Sequence, residues 1–154
     1  MNVNELEKQY DALAKKYKLP AFKELNEDFE IEKIKRRSGI LIKTIRKVMM
    51  EKIINSMSFL EMLLNPIVAP RVYLIYIKSM TSEDKTEIDR IYGVLSEIVL
   101  DSLELEIEYS EKREAEMINE ICKKWNSVKP GFIKVIKDLK KPATSVTREK
   151  SYFG

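Results

Sequence analysis

One long helical pattern over residues 28–64 constrains the fold more than any other feature, and it changes character halfway. At about 100° per residue, the apolar side chains of residues 31–49 fall on one broad face and the cations on the other, which is typical of a surface helix. Further along, apolar side chains point in almost every direction. A helix that is apolar all round must be buried all round. We therefore expect residues 48–64 to form a central core helix, with the cationic turns before it left outside.

Helix-boundary signals flank this stretch. Asn4 and Glu7 have the spacing of a capping box at the start of a short docking helix. Asp28 is placed to cap the long helix at its start. Asn65 and Pro66 are placed to end it, because proline cannot supply the next backbone hydrogen bond.

The second half of the chain carries the same kind of signal. Residues 81–84 are typical of a helix start, and the apolar stripe that follows lapses near Ser110, where we predict a break. Helix ends are predicted at Pro130 and at Pro142.

Two short stretches allow a second interpretation. Residues 71–77 are a run of β-formers, and residues 103–109 alternate between apolar and acidic side chains. These two stretches would have only each other to pair with, and an isolated two-stranded ribbon is marginally stable. We therefore predict helix for both, with strand as the alternative.

Together these patterns predict an all-α, single-domain helical bundle of about five to seven helices around a central apolar helix. The domain is expected to cover residues 1–142, followed by a polar C-terminal tail over residues 143–154. A chain of 154 residues can bury roughly 68–70% of the surface that its unfolded form exposes, without disulfides or metal ions to stabilise it. Few glycines with abundant Ile, Lys and Glu are also typical of thermophile proteins.

The single cysteine, Cys122, excludes an intrachain disulfide and fits a reducing cytoplasm. It falls on an apolar stripe, where a small buried hydrophobe is expected. The first residues enter a polar helical pattern and do not resemble a signal peptide. Charged and polar residues interrupt the apolar run of residues 48–64, which argues against a membrane span. We expect a cytoplasmic protein.

Absent residue types exclude several chemistries. The chain has no histidine and only four glycines, at positions 39, 93, 131 and 154. A histidine-dependent triad, a zinc-hydrolase site, a Walker phosphate loop and a dinucleotide fingerprint are all excluded. No catalytic residue, metal ligand or cofactor is predicted.

A carboxylate site is the one enzymatic alternative. Pairs of glutamates at helical spacing could hold magnesium, as in all-α nucleotide pyrophosphatases. An acidic helix face is more often simply solvated. The pairs are Glu104 with Glu108, Glu111 with Glu114, and Glu116 with Glu120.

Charge is unevenly distributed although the net charge is only +3. Residues 33–50 contain seven cations and no acid, whereas residues 101–120 contain eight acids and two cations. The basic face could bind a nucleic acid, could be solvated, or could lie beside the acidic helix within a subunit or across a symmetric interface. The candidate polyanion-binding residues are Lys33, Arg36, Arg37, Lys43 and Lys47.

Methionines along the same stretch, Met49, Met50, Met57 and Met62, suit an irregular core and also an adaptable protein-binding surface. A non-catalytic protein-interaction or scaffold protein, forming a homo-oligomer such as a homodimer, is the predicted function. A nucleic-acid-binding accessory protein and a magnesium-dependent enzyme are the alternatives.

Overall fold

The computed structural model describes residues 2–34 and 39–152, with side chains as far as residue 141. Six α-helices and no strand lie in this part of the chain, so the predicted all-α bundle of five to seven helices is confirmed. The helices are α1 (Val3–Tyr17), α2 (Phe22–Phe29), α3 (Leu41–Leu64), α4 (Arg71–Ser79), α5 (Ser82–Ile107) and α6 (Glu111–Tyr152).

The chain divides into two compact units. The first comprises residues 1–55 and 97–125, and the second comprises residues 56–96 and 126–154. Helices α3, α5 and α6 each give one part to each unit. That residues 1–142 form a single domain stays a prediction.

Helix α1 begins two residues earlier than the sequence pattern indicated. Its capping box joins Asn2 and Glu5: the Glu5 amide donates to Asn2 Oδ1 at 2.9 Å, and the Asn2 amide donates to Glu5 Oε2 at 3.4 Å. The prediction of Asn4 and Glu7 for these roles is wrong, because Asn4 already lies inside the helix. Both pairs have the same spacing, so spacing alone does not distinguish them.

Tyr10 fixes α1 to the start of α2 in the first unit. Its side chain is fully buried, its hydroxyl donates to the Pro20 carbonyl oxygen at 2.6 Å, and its ring meets Phe22 edge-on at 5.7 Å. One aromatic residue thus supplies both apolar contact and a satisfied polar group.

The stretch over residues 28–64 is not one helix. Helix α2 ends at Phe29, Glu30 adopts a left-handed backbone with φ of 52°, a 3₁₀ turn spans Ile31–Lys33, and α3 begins only at Leu41. Asp28 therefore does not cap the long helix, and its carbonyl oxygen accepts a hydrogen bond from Lys52 Nζ. Glu30 ends α2 in a conformation that glycine usually adopts, whereas Gly39, with φ of 90°, lies two residues before α3.

Helix α3 keeps one exposed face from Lys47 to Glu61, so the prediction that residues 48–64 are enclosed on all sides is wrong. Ile53, Leu60 and Leu63 are buried, whereas Ile54 is 50% exposed. The polar residues that interrupt the apolar run provide the exposed face, at the three- and four-residue spacing of one helical side. They are Glu51, Asn55, Ser58 and Glu61.

In the second unit, the run of β-formers is helix α4, as predicted. An aromatic contact attaches it: the Tyr73 ring lies 6.2 Å from that of Phe59, which in turn stacks on Phe132 at 6.0 Å. Packing of these rings overrides the strand preference of the sequence.

Helix α5 begins where the sequence indicated. The Asp84 amide donates to Thr81 Oγ1 at 3.1 Å and the Thr81 amide donates to Asp84 Oδ2 at 3.2 Å, which is a reciprocal cap. The predicted break near Ser110 is confirmed, because α5 ends at Ile107 and α6 begins at Glu111.

The helix ends predicted at Pro130 and Pro142 are wrong, because α6 continues through both positions. Proline removes one backbone hydrogen bond but has a φ angle that suits a helix. In the second unit, Val128, Val135 and Leu139 are all buried on either side of Pro130. Their packing offsets the lost hydrogen bond. No helix in the described part of the chain has the length and continuous apolar character that crossing a bilayer requires.

Candidate functional site

A buried arginine is the centre of charge in the first unit. Arg46 is 1% exposed, and its guanidinium contacts three residues of two other helices. Nε donates to Glu114 Oε2 at 2.5 Å, Nη1 to Ser102 Oγ at 2.5 Å, and Nη2 to Glu106 Oε1 at 2.5 Å and Glu114 Oε1 at 3.2 Å. We call these four residues the Arg46 network.

Local structure explains how the network is assembled. Ser102 and Glu106 are four residues apart on α5 and so share one face. Glu114 lies in the first turn of α6, where the helix dipole favours a carboxylate. The helices α5 and α6 therefore position the three partners of Arg46.

The network shifts the pKa of Arg46 and that of Glu106. Burial alone would lower the pKa of Arg46, but hydrogen bonds to Glu114 and Glu106 outweigh it and raise that pKa. The hydrogen bond from Arg46 lowers the pKa of Glu106, and the nearby charges of Lys47 and Lys43 act in the same direction. The raised pKa of Arg46 and the lowered pKa of Glu106 both favour the charged forms, so opposite charges hold this pair together.

Three of the five candidate polyanion-binding residues pair with acids of the first unit. Lys43 Nζ lies 3.8 Å and Lys47 Nζ 3.9 Å from the Glu106 carboxylate, and Lys33 Nζ lies 2.9 Å from Glu51 Oε2. The basic part of α3 thus lies beside the acidic part of α5, which is one of the arrangements that the sequence left open. The other two candidates, Arg36 and Arg37, lie outside the described residues.

Arg46 is the residue that sequence reasoning placed wrongly. The cationic turns were expected to remain outside, and Lys47 is indeed exposed, but Arg46 is enclosed. The signal was present, because Arg46 follows Ile42 by four residues and precedes Met49 by three, which puts it on the apolar stripe. Glu114 likewise lies on the apolar stripe of its own helix, four residues before Ile118.

The glutamates considered for magnesium are mostly engaged with cations. Glu114 binds Arg46, Glu104 lies 3.3 Å from Arg113, and Glu120 lies 2.9 Å from Lys124. Among the residues described, no group of three or more histidine, cysteine, aspartate or glutamate side chains is arranged to hold a metal ion.

Cys122 is half-buried in the first unit. Burial, with smaller contributions from the charges of Asp28 and Glu24, raises the pKa of its thiol to about 12. The thiol therefore stays protonated near neutral pH, and a protonated thiol is a poor nucleophile.

Exposed apolar side chains are concentrated at α4 in the second unit. Ile67 is 94% exposed, Val68 and Val72 are each 62% exposed, and Ile75 is 37% exposed. None of the residues of α4, Arg71–Ser79, is fully buried. We call Ile67, Val68, Val72 and Ile75 the α4 patch.

A second apolar surface lies on α5 in the first unit. Leu100, Leu103 and Ile107 are 65%, 55% and 84% exposed. Their spacing of three and four residues places them on one side of the helix. We call these three residues the α5 stripe.

Comparison with known proteins identifies no relative. No family model, curated protein or solved structure matches the chain. The side chains themselves are therefore the basis for proposing a function.

Proposed function

We propose that this chain is a non-catalytic helical protein-interaction protein that binds its partner through the α4 patch. The observation that carries this proposal is the exposure of four aliphatic side chains within residues 67–75. Clustered exposed apolar groups of this kind are typical of interaction sites on folded proteins.

The energetics favour occupation of this surface. Burying a valine or isoleucine side chain contributes about 1.5–3 kcal/mol. The contact of Tyr73 with Phe59 attaches α4 to α3, so Val72 and Ile75 are presented on a helix, and Ile67 and Val68 lie in the turn before it. An ordered surface loses less conformational entropy on binding than a flexible segment does.

Nucleic-acid binding through the basic part of α3 has less support. Lys33, Lys43 and Lys47 already lie beside carboxylates, and a phosphate group would have to compete with them. This alternative and the magnesium-dependent enzyme stay predictions. A cytoplasmic location is part of the proposal, because a single cysteine fits a reducing compartment.

A pull-down with and without nuclease tests the proposal. Immobilised protein should retain the same proteins from a cell extract in both arms, and Val72→Glu should lose them. Val3→Glu is the matched control, since Val3 is 46% exposed and lies on α1 in the first unit, whereas the patch belongs to the second unit. Retention that disappears with nuclease, or that Val72→Glu leaves unchanged, would contradict the proposal.

A further inference from the structure

We propose that the α4 patch of one copy of this chain docks on the α5 stripe of a second copy. This inference rests on the proposed function and names the partner. Both surfaces present aliphatic side chains, from α5 in one and from α4 with the turn before it in the other, so each could cover the other by apolar packing. What selects this pairing is the charge around each surface.

One row beside the α5 stripe is acidic. Residues 91–111 contain six acids and no lysine or arginine, and cations from outside this range pair with Glu97, Glu106 and Glu111. Glu104 and Glu108 each follow a member of the stripe by one residue, so they form the adjacent row on the same helix. Glu104 also forms an exposed ion pair with Arg113 at 3.3 Å, and such surface pairs contribute little.

The surroundings of the α4 patch have the opposite charge. Residues 62–82 contain no acid, and their two cations, Arg71 and Lys78, both lie on α4 and are exposed. Arg71 directly precedes Val72, and Lys78 follows Ile75 by one turn. Docking of α4 on α5 of another copy brings cations to acids around an apolar centre, the arrangement that guides specific association.

The other pairings are less favourable. Two α4 patches would bring like cations together, and two α5 stripes would bring like acids together, which costs free energy. An anionic lipid surface would attract Arg71 and Lys78 but repel the acids around the α5 stripe. Only the docking of α4 on α5 covers both exposed surfaces.

Sedimentation velocity over a range of protein concentrations tests the inference. The wild-type chain should associate with rising concentration, and association should weaken as salt increases, because the flanking ion pairs are screened. Val72→Glu on α4 and Leu103→Glu on α5 should each raise the dissociation constant at least about tenfold, since each would place a carboxylate in an apolar contact. Val3→Glu should leave association unchanged.

Mixing the two variants identifies which surfaces meet. Val72→Glu keeps an intact α5 stripe, and Leu103→Glu keeps an intact α4 patch. An equimolar mixture should therefore associate although neither variant does so alone. If Leu103→Glu self-associates like the wild type, or Val72→Glu does, the pairing of unlike surfaces is overturned.

Two further measurements distinguish a loss of self-docking from a loss of fold and from binding to another partner. The melting temperatures of both variants should stay close to that of the wild type, because Val72 and Leu103 are 62% and 55% exposed. A wild-type chain that stays monomeric at all concentrations would overturn self-docking. The proposed function would then still be judged by the pull-down, where the partner is a different protein. Binding to phosphatidylcholine–phosphatidylglycerol vesicles by such a monomer would overturn self-docking in favour of a lipid surface.

Discussion

Arg46 Nε donates to Glu114 Oε2 at 2.5 Å, and both side chains are almost completely excluded from solvent. An arginine from the most basic part of the sequence thus forms a buried ion pair in the first unit with a glutamate from the most acidic part. Removing one member of a buried ion pair leaves the other charged and without compensation.

The first prediction concerns this pair. Arg46→Met should lower the free energy of unfolding by about 3–5 kcal/mol, because Glu114 would stay buried without its partner. Arg46→Met combined with Glu114→Gln should be less destabilised than Arg46→Met alone. Urea unfolding of the wild type, both single variants and the double variant measures the coupling, and additive effects would contradict it.

The second prediction is the dependence of stability on pH. The hydrogen bond from Arg46 holds the folded-state pKa of Glu106 below its ordinary value of 4.5. The resulting stabilisation is fully present above pH 4.5 and is lost as the pH falls through the lower folded-state pKa. Glu106→Gln should therefore flatten the acid limb of a stability profile measured by urea unfolding. Glu27→Gln, at an exposed position on α2, is the control, and an equal flattening there would refute the assignment.

The third prediction concerns Gly131 in α6. A Cβ atom at this position would lie 2.0 Å from Glu87 Oε1, whose carboxylate pairs with Arg90. Alanine gains about 1 kcal/mol of helix propensity over glycine, but here it must displace Glu87. Gly131→Ala should therefore stabilise the chain more in a Glu87→Ala background than in the wild type. Thermal or urea unfolding checks this, and equal gains in both backgrounds would show that the two side chains do not compete.

The fourth prediction concerns Cys122, whose thiol has a pKa raised to about 12. Because the thiolate is the reactive form, a disulfide reagent at mildly alkaline pH should modify the folded protein at least about 100-fold more slowly than the unfolded protein. The rate in urea provides the reference. Similar rates in both states would mean that the thiol is open to solvent.

Helical spacing was sufficient to predict much of the fold. The cap at Thr81 and the break near Ser110 follow from local patterns. Residues 71–77 prefer strand locally, and helix was predicted for them because a strand there would lack a stable sheet. The break before α3 was missed although Gly39, with φ of 90°, lies two residues before that helix; Glu30, at the end of α2, takes a left-handed conformation without being a glycine. The continuation of α6 past Pro130 depends on packing that the residue type does not encode.

The site was harder to predict than the fold. Charge counting grouped Lys33, Lys43 and Lys47 correctly as a basic face but gave no information about their acidic neighbours. Arg46 could have been recognised from its place on the apolar stripe, but its partners lie 56 to 68 residues away in the sequence. Contacts at that separation depend on how the helices pack, which a single sequence does not show.

Side-chain footprinting at low and high protein concentration tests the central claim, that the exposed aliphatic surfaces on α4 and α5 are binding surfaces. Carbene labelling of Ile67, Val72 and Leu103 should fall as concentration rises, while labelling of Val3 stays constant. Labelling of all four residues that does not change with concentration, together with no protection by any protein retained in the pull-down, would contradict the account.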